Sequence, residues 1–451
     1  MGVKTVLSSI FFLPGTDSFS KNGTDYPTKF RVTLYDSLKR TVMIMNRTIM
    51  KRTFGAWMAT IFSSSMNGAT AFALKFAAEN VHTPVGKDGE GAYTAATKGC
   101  FDVIDMATPL VLQEISEQHI NPDRAFHVAD YGTADAGTSL GLLTKVVRSV
   151  RKRTSGDDKK EVVIHYEDQL NNEWKSVFNH ALGNIKVTDA YNNEIDTPFN
   201  LGGVFVEANG VGFHQQCYAS GSIDLGVSFT AMHWLSSSPS SLKGSKYMHA
   251  ARCLDGPPEA EKLQAESDWY KILTARSREL SPGGRFICVN FCVSKEGYFL
   301  GQTDVGSSMW DSFAYAWNKL AQDGIINEDE QLGVSFPNYY RTTEEFLAGI
   351  ERCPDLKLVS AEEKIVRCPY REQYIDSDSK MSAEDYAKTF VPTTRTWSHS
   401  TFKTALSDKR SDEEKEKILE QFWSNYEELV AQSPETHGMD YVHSYLVIEK
   451  V

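Results

Sequence analysis

Two carboxylates and a glycine-rich turn are the residues of this chain whose types and spacing could do chemistry. Asp130 ends the apolar run 126–129 and is followed by Gly132 and Gly137 in FHVADYGTADAGTS, residues 126–139, before a helix-like segment opens at 140. A strand, a tight glycine turn and a helix start succeed one another. Glycine in such a turn can take a positive φ and lets the backbone approach a ligand, and a carboxylate at the strand end can hold a cation or a hydroxyl-bearing cofactor. The loop lacks the full G-x-G-x-x-G spacing, so alone it describes a plain strand-to-helix turn equally well. A second strand, 161–166, ends in Glu167 and Asp168. In a parallel sheet the carboxyl ends of neighbouring strands line one crevice, which suits Asp168 to accept from two ribose hydroxyls. The alternative is an N-cap for a helix carrying Trp174 and Phe178.

The elements that must position these groups alternate. Beyond the helix at 140–150 and the charged run RKRTSGDDKK, strands are expected at 204–207, 227–230, 285–291 and 441–447, and helices at 311–321 and 343–353. Strand and helix in alternation predict an α/β, doubly wound sheet. Upstream, GEGAYTAATKGCFDVIDMATPLVLQEI, 89–115, reads as a loop bearing Tyr93, Thr94 and Thr97, then a buried helix broken by Pro122. Residues 1–85 form a basic extension in which Phe54, Trp57, Met58, Ile61 and Phe62 keep helical spacing. It reads as a helix packed on the main domain or a second subunit, with organelle targeting or membrane-surface contact as the alternative.

Composition narrows the function classes. With 451 residues and 41% hydrophobic content the chain can bury one large core or two smaller ones. A net charge of -12 argues against a nucleic-acid partner and for a small molecule. Seven cysteines without C-x-x-C spacing indicate neither a disulfide framework nor a zinc site, and point to a reducing, cytoplasmic compartment. The apolar run 6–13 is too short for a transmembrane segment.

Several ordered blocks resemble one family. VADYGTADAGTS and YEDQLNNEW look like the glycine loop and the N-D-L-P-x-N-D-F block of plant-type small-molecule carboxyl methyltransferases (SABATH type). GFHQQCY at 212–218, AMHWLSSSP at 231–239, LKGSKY at 242–247, QAESDWYKILTARSRELSPGGRF at 264–286 and VSFPNYYRTTEEF at 334–346 follow in the family's order. The resemblance spans about residues 85–451. It implies a Rossmann-like class I methyltransferase sheet with an α-helical cap: core 86–303, cap with interleaved core strands 304–440, and a final core strand 441–451. It also implies S-adenosyl-L-methionine as cofactor, a small carboxylic acid as substrate and a homodimer.

Carried over position by position, the resemblance assigns Asp130 and Gly132 to the methionine end of the cofactor and Thr138 to a position where the family has Asn. Asp168 takes the ribose hydroxyls, Gln169 lies beside the adenine, Phe213 stacks on it, and Gly212 offers no hydroxyl. Tyr93 matches a cofactor-contacting Tyr, and Thr97 replaces a Ser. Trp234 matches the Trp that grips the substrate carboxylate, its other reading being a buried core Trp. The family's second carboxylate ligand, a Gln, is here Cys100, a weak donor. Either the substrate is oriented differently, or Lys98 supplies the second contact, or Cys100 only fills space. A carboxylate is ionised at pH 7, so transfer needs positioning rather than a base. This fits a chain without a Ser/His/Asp or Cys/His constellation. His233 could serve as base, as hydrogen-bond donor or as packing partner. The aromatics Trp310, Phe313, Tyr315, Trp317, Phe336, Tyr339 and Tyr340 either line the cap's cavity or pack its helices. N-methylation of a heterocycle with the same cofactor, and a non-catalytic ligand- or partner-binding role, are the alternative functions.

Overall fold

The computed structural model of the protein describes residues 89–154, 160–239, 242–376 and 380–451. The basic extension 1–85 with its helical spacing at 54–62, the apolar run 6–13 and the middle of the charged run lie outside the described residues.

Strands β1 (Phe126–Tyr131), β2 (Val162–Glu167), β5 (Val204–Asn209), β6 (Ile223–Phe229) and β7 (Leu280–Val293) pair in parallel; β3 (Val187–Thr188) and β4 (Glu194–Ile195) form a separate hairpin. β8 (Arg341–Thr342) adds to β7, and β10 (Tyr441–Lys450) runs antiparallel between β7 and β9 (Leu356–Val366). The order is β5-β2-β1-β6-β7-β10-β9. The chain order reverses between β1 and β6, so a crevice opens at the carboxyl ends of those strands. β1, β2 and β6 are buried nearly throughout, as parallel strands covered on both faces must be.

Helices α1 (Ala92–Ala96), α2 (Gly99–Glu117), α3 (Leu140–Arg153), α4 (Trp174–Ala181), α5 (Glu259–Glu279), α6 (Met309–Gln322), α7 (Glu328–Gln331), α8 (Thr343–Glu351), α9 (Pro369–Ile375), α10 (Ala383–Ala405) and α11 (Asp412–Gln432) complete the described elements. Their apolar stripes divide between the two faces of the sheet. Val103, Ile104, Ala107 and Val111 of α2, with Leu143, Val146 and Val147 of α3, cover Val128, Ile164 and Val227. Trp269, Ile272 and Leu273 of α5, with Phe346 and Ile350 of α8, cover Ala129, Phe286 and Cys288 from the other side. Each face is a helix stripe of i, i+3, i+4 spacing on alternate strand residues.

Helices α6, α10 and α11 are joined by rings: Phe402 lies 4.2 Å from Phe422, Phe313 4.9 Å from Tyr426, and Trp317 5.2 Å from Phe402. The aromatics expected to line a cap or to pack its helices are therefore mostly packing. Trp310, Phe313, Trp317 and Phe336 are core residues, Tyr339 is buried in a satellite cluster, Tyr315 is 62% exposed, and Tyr340 alone of those seven lines the cavity described below.

Several expected boundaries move. The helix expected to reach Pro122 stops at Glu117, where Gln118 turns extended and its amide donates to the Asp224 carbonyl at 2.6 Å, tying the chain to β6. β7 begins at Leu280, through Pro282 and two glycines, rather than at Arg285. The strand at 161–166 becomes Val162–Glu167, so Glu167 ends the strand and Asp168 follows it.

Candidate active site

The turn after β1 is held in shape by its own side chains. Gly132 has φ +75, and a Cβ there would lie 2.2 Å from Ala231 Cβ, so only glycine fits between the ends of β1 and β6. Ala134 and Ala136 also adopt positive φ, 51 and 67, at a cost of about 1–2 kcal/mol each. Hydrogen bonds offset that strain. Thr133 and Ser139 hydroxyls donate to Asp130 Oδ2 at 3.0 and 2.7 Å, and the amides of Gly132 and Thr133 donate to the Glu167 carbonyl at 2.8 and 2.9 Å. Asp130 is thus engaged by its own loop. From above, Thr94 of α1 donates through its amide and hydroxyl to the Asp135 carboxylate, and a Cβ on Gly137 would meet Thr94 Oγ1 at 2.3 Å.

Asp168 does not cap a helix. Glu173 caps α4, its side chain accepting from Ser176 N–H, while Asp168 Oδ2 accepts from Ala134 N–H at 2.9 Å and Oδ1 from Gln169 N–H at 2.8 Å. Each oxygen so anchored keeps a lone pair for a hydroxyl. Burial pushes Asp168 and Asp130 each up to about 6, against the lowering effect of their hydrogen bonds. Burial also raises Glu167 well above the usual carboxylate range, with the neighbouring Asp168 adding to it.

The 212–218 loop covers this turn. Phe213 Cε1 lies 3.8 Å from where a Gly132 side chain would begin, and Gly212 has nothing within 4 Å of its own Cβ position. A fully buried pair at the end of α5 fixes the loop. Arg276 donates to the carbonyls of Phe213 and Gln215 at 3.0 and 2.9 Å, and Glu279 accepts from the amides of Cys217 and Tyr218 and the Tyr131 hydroxyl. Asp130, Gly132, Asp168 and Phe213 are thus brought together at the ends of β1 and β2, with Gln169 next to Asp168, whereas among the described residues no contact ties Thr138 or Gly212 to them.

Beside this crevice lies a cavity lined largely by aromatic side chains. Its lining includes Tyr93, Thr97, Cys100, Thr230, His233, Trp234, Phe291, Asn338, Tyr340, Trp397 and Tyr441. Residues 233–235 are stapled to 337–339: Tyr339 N–H donates to the His233 carbonyl at 2.9 Å and Leu235 N–H to the Pro337 carbonyl at 2.8 Å. His214 Nε2 lies 3.1 Å from the Trp234 carbonyl, linking the covering loop to the cavity. His233 is 4% exposed, with its ring 4.8 Å from Phe291 and 5.2 Å from Trp234. Thr97 turns its hydroxyl to the Tyr93 carbonyl at 2.7 Å, closing α1.

Lys98 requires a correction. Its ammonium donates to the Thr188 carbonyl at 2.5 Å in the β3–β4 hairpin, and it is absent from the cavity lining. The helical rotation between Lys98 and Cys100 turns the two side chains apart. Sequence reasoning also missed Thr230, Asn338, Trp397 and Tyr441. Thr230 had one recognisable trait, a φ of 56 rare for a β-branched residue, which only coordinates reveal.

The family model described as SAM dependent carboxyl methyltransferase matches residues 79–451. The chain belongs to that family. Gibberellic acid methyltransferase 1 of Arabidopsis thaliana is 25% identical over 309 residues, covering 64% of this chain and 78% of that protein. Probable 7-methylxanthine methyltransferase 2 of Theobroma cacao is 26% identical over 275 residues, covering 57% and 70%. A solved structure titled loganic acid methyltransferase with SAH superposes with a TM-score of 0.65 at 18% identity, covering 81% of this chain and 98% of that one, and shares the fold. The protein is thus a SAM-dependent methyltransferase with a Rossmann-like sheet. Among the described residues no helix is long and apolar enough to cross a membrane.

Proposed function

We propose that this methyltransferase esterifies the carboxylate of a small-molecule acid, with the crevice at Asp168 holding the cofactor and the adjoining cavity the acid. The observation that carries this reading is the continuity of the two: Ala231, against Gly132, is followed within three residues by cavity-lining His233 and Trp234. The crevice residues fit S-adenosyl-L-methionine. Asp168 has a lone pair on each oxygen for ribose hydroxyls, and Phe213, beside Gly132, offers a ring for the adenine. When bound, the cofactor supplies an electrophilic methyl group on a sulfonium. The chain's own residues bind, orient and exclude water. A carboxylic acid arrives ionised at pH 7, so no side chain has to accept a proton. Trp234 orients the carboxylate, and Phe291, Tyr340 and Trp397 enclose the substrate body. His233, between Trp234 and Phe291, acts as wall and orienting group.

A second reading, transfer to a ring nitrogen, is favoured by His233 lining the cavity and by the methylxanthine methyltransferases among the relatives. In both readings residues 86–303 hold the cofactor and 304–440 cap the substrate, and a homodimer and a cytoplasmic location go with them. Calorimetry of S-adenosyl-L-methionine on wild type and Asp168→Ala tests the assignment. Micromolar binding lost in the variant supports it; no binding by folded wild type overturns it in favour of a non-catalytic ligand-binding role.

A further inference from the structure

Where the resembled family carries Gln, Cys100 is a poor ligand for a carboxylate, and Lys98 faces another way. A different group occupies the space. A Cβ on Gly99 would lie 2.5 Å from Tyr441 Cε2 and 3.0 Å from its Oη, so the ring of Tyr441 rests on the bare backbone of Gly99. Its hydroxyl oxygen is 4.0 Å from Cys100 Sγ, and Tyr93 Oη approaches the same sulfur at 3.9 Å. The small pair Gly99-Cys100 makes room for a phenol brought by the first residue of β10.

Three properties suit that phenol to bind an anion. Tyr441 lines the cavity and is 2% exposed. Its only hydrogen-bond contact among the described residues is the thiol, which uses little of its donor capacity. Burial, with Cys100 and Tyr93 adding to it, holds its pKa well above the ordinary value, so the proton stays on and is available to donate. The ring is fixed by near-parallel stacking on Phe291, 5.9 Å away at 17°. A donor buried without a strong partner costs free energy that an anionic ligand recovers.

We propose that Tyr441 is the second carboxylate-binding residue of this enzyme, donating from β10 into the cavity that Trp234 also lines, in place of the missing Gln. The proposal rests on the carboxyl-methylating reading above. It makes Gly99, Cys100 and Tyr441 a linked set: a long side chain at 100 and the phenol at 441 compete for one place.

The test measures methyl transfer to a panel of carboxylic acids that includes gibberellic, indole-3-acetic and loganic acids, then takes the best acid through variants. Tyr441→Phe removes one oxygen and keeps the stacked ring, so a folded protein is expected. Loss of a hydrogen bond to a charged group should lower kcat/KM for the acid by about 10- to 100-fold, with cofactor Kd within about twofold of wild type. Adding Cys100→Gln to Tyr441→Phe should return much of the loss, which a merely structural role for Tyr441 would not allow. An unchanged kcat/KM in Tyr441→Phe, or no recovery in the double variant, overturns the proposal while wild-type transfer keeps the carboxyl reading standing. Failure of wild type to methylate any acid overturns that reading, and this proposal with it.

Discussion

Replacing Glu279 with alanine should damage both the fold and the cofactor crevice. Its carboxylate accepts from Arg276 Nε and an Nη at 2.8 and 2.9 Å, from the Tyr131 hydroxyl, and from the amides of Cys217 and Tyr218. Both Arg276 and Glu279 are 0% exposed. Removing one partner leaves a guanidinium buried without its counter-charge, a loss of about 3–5 kcal/mol. The remaining bonds of Arg276 to the Phe213 and Gln215 carbonyls and its stacking 4.0 Å from the Tyr131 ring limit the damage to that range. Against a total stability of roughly 5–15 kcal/mol, that loss is a large share and the melting temperature should fall clearly. Glu279→Gln keeps the shape but binds the guanidinium less well, costs about 1–3 kcal/mol, and remains folded. In it the 212–218 loop loosens and Phe213 leaves Gly132, so cofactor affinity should fall several-fold. Urea denaturation gives the stability change and calorimetry the affinity. A cost under about 1 kcal/mol for Glu279→Ala, or wild-type cofactor affinity in Glu279→Gln, would refute the clamp.

Two further predictions concern the crevice. Gly132→Ala meets a φ of +75 and a Cβ 2.2 Å from Ala231, so it should abolish cofactor binding and lower the melting temperature; wild-type values for both would contradict the close approach of β1 and β6. Burial raises Asp130 and Asp168 to about 6 in the free protein, above their unfolded value of 3.8, so their contribution to stability is present at low pH and is lost as pH rises through 6. A cofactor bearing a sulfonium and ribose hydroxyls favours the ionised carboxylates, so its affinity should weaken below pH 6, by up to about tenfold per unit for each linked proton. Calorimetry at pH 5, 6 and 7.5 in two buffers of different ionisation enthalpy checks this, and a flat profile counts against it.

The crevice could be read from the sequence because its signals are local. An apolar run, a carboxylate and a glycine turn lie within a dozen residues, and one β-strand alternation later Asp168 follows. The strand starting at Leu280 was hidden because Ser281, Pro282, Gly283 and Gly284 look like a loop, although the ladder to β6 already begins there at Ile223. The cavity was only half legible. Cys100, His233 and Trp234 line it together, joined by Tyr93 and Thr97, which the family blocks had placed on the cofactor, whereas Tyr441 and Trp397 come from distant elements with no motif around them. Lys98 misled because closeness in sequence does not fix the direction of a side chain on a helix. The cap aromatics misled for a similar reason: rings at helical spacing look alike whether they face a cavity or a neighbouring helix, and here Phe313 and Trp317 face Phe402 and Phe422.

Product chemistry tests the central claim most directly. The protein would be incubated with methyl-labelled S-adenosyl-L-methionine and each acid of the panel, and the labelled product treated with mild alkali. Label that is released as methanol, with the parent acid recovered, is the outcome expected of a methyl ester. Label that survives alkali on the product would contradict carboxyl transfer and favour methylation at nitrogen.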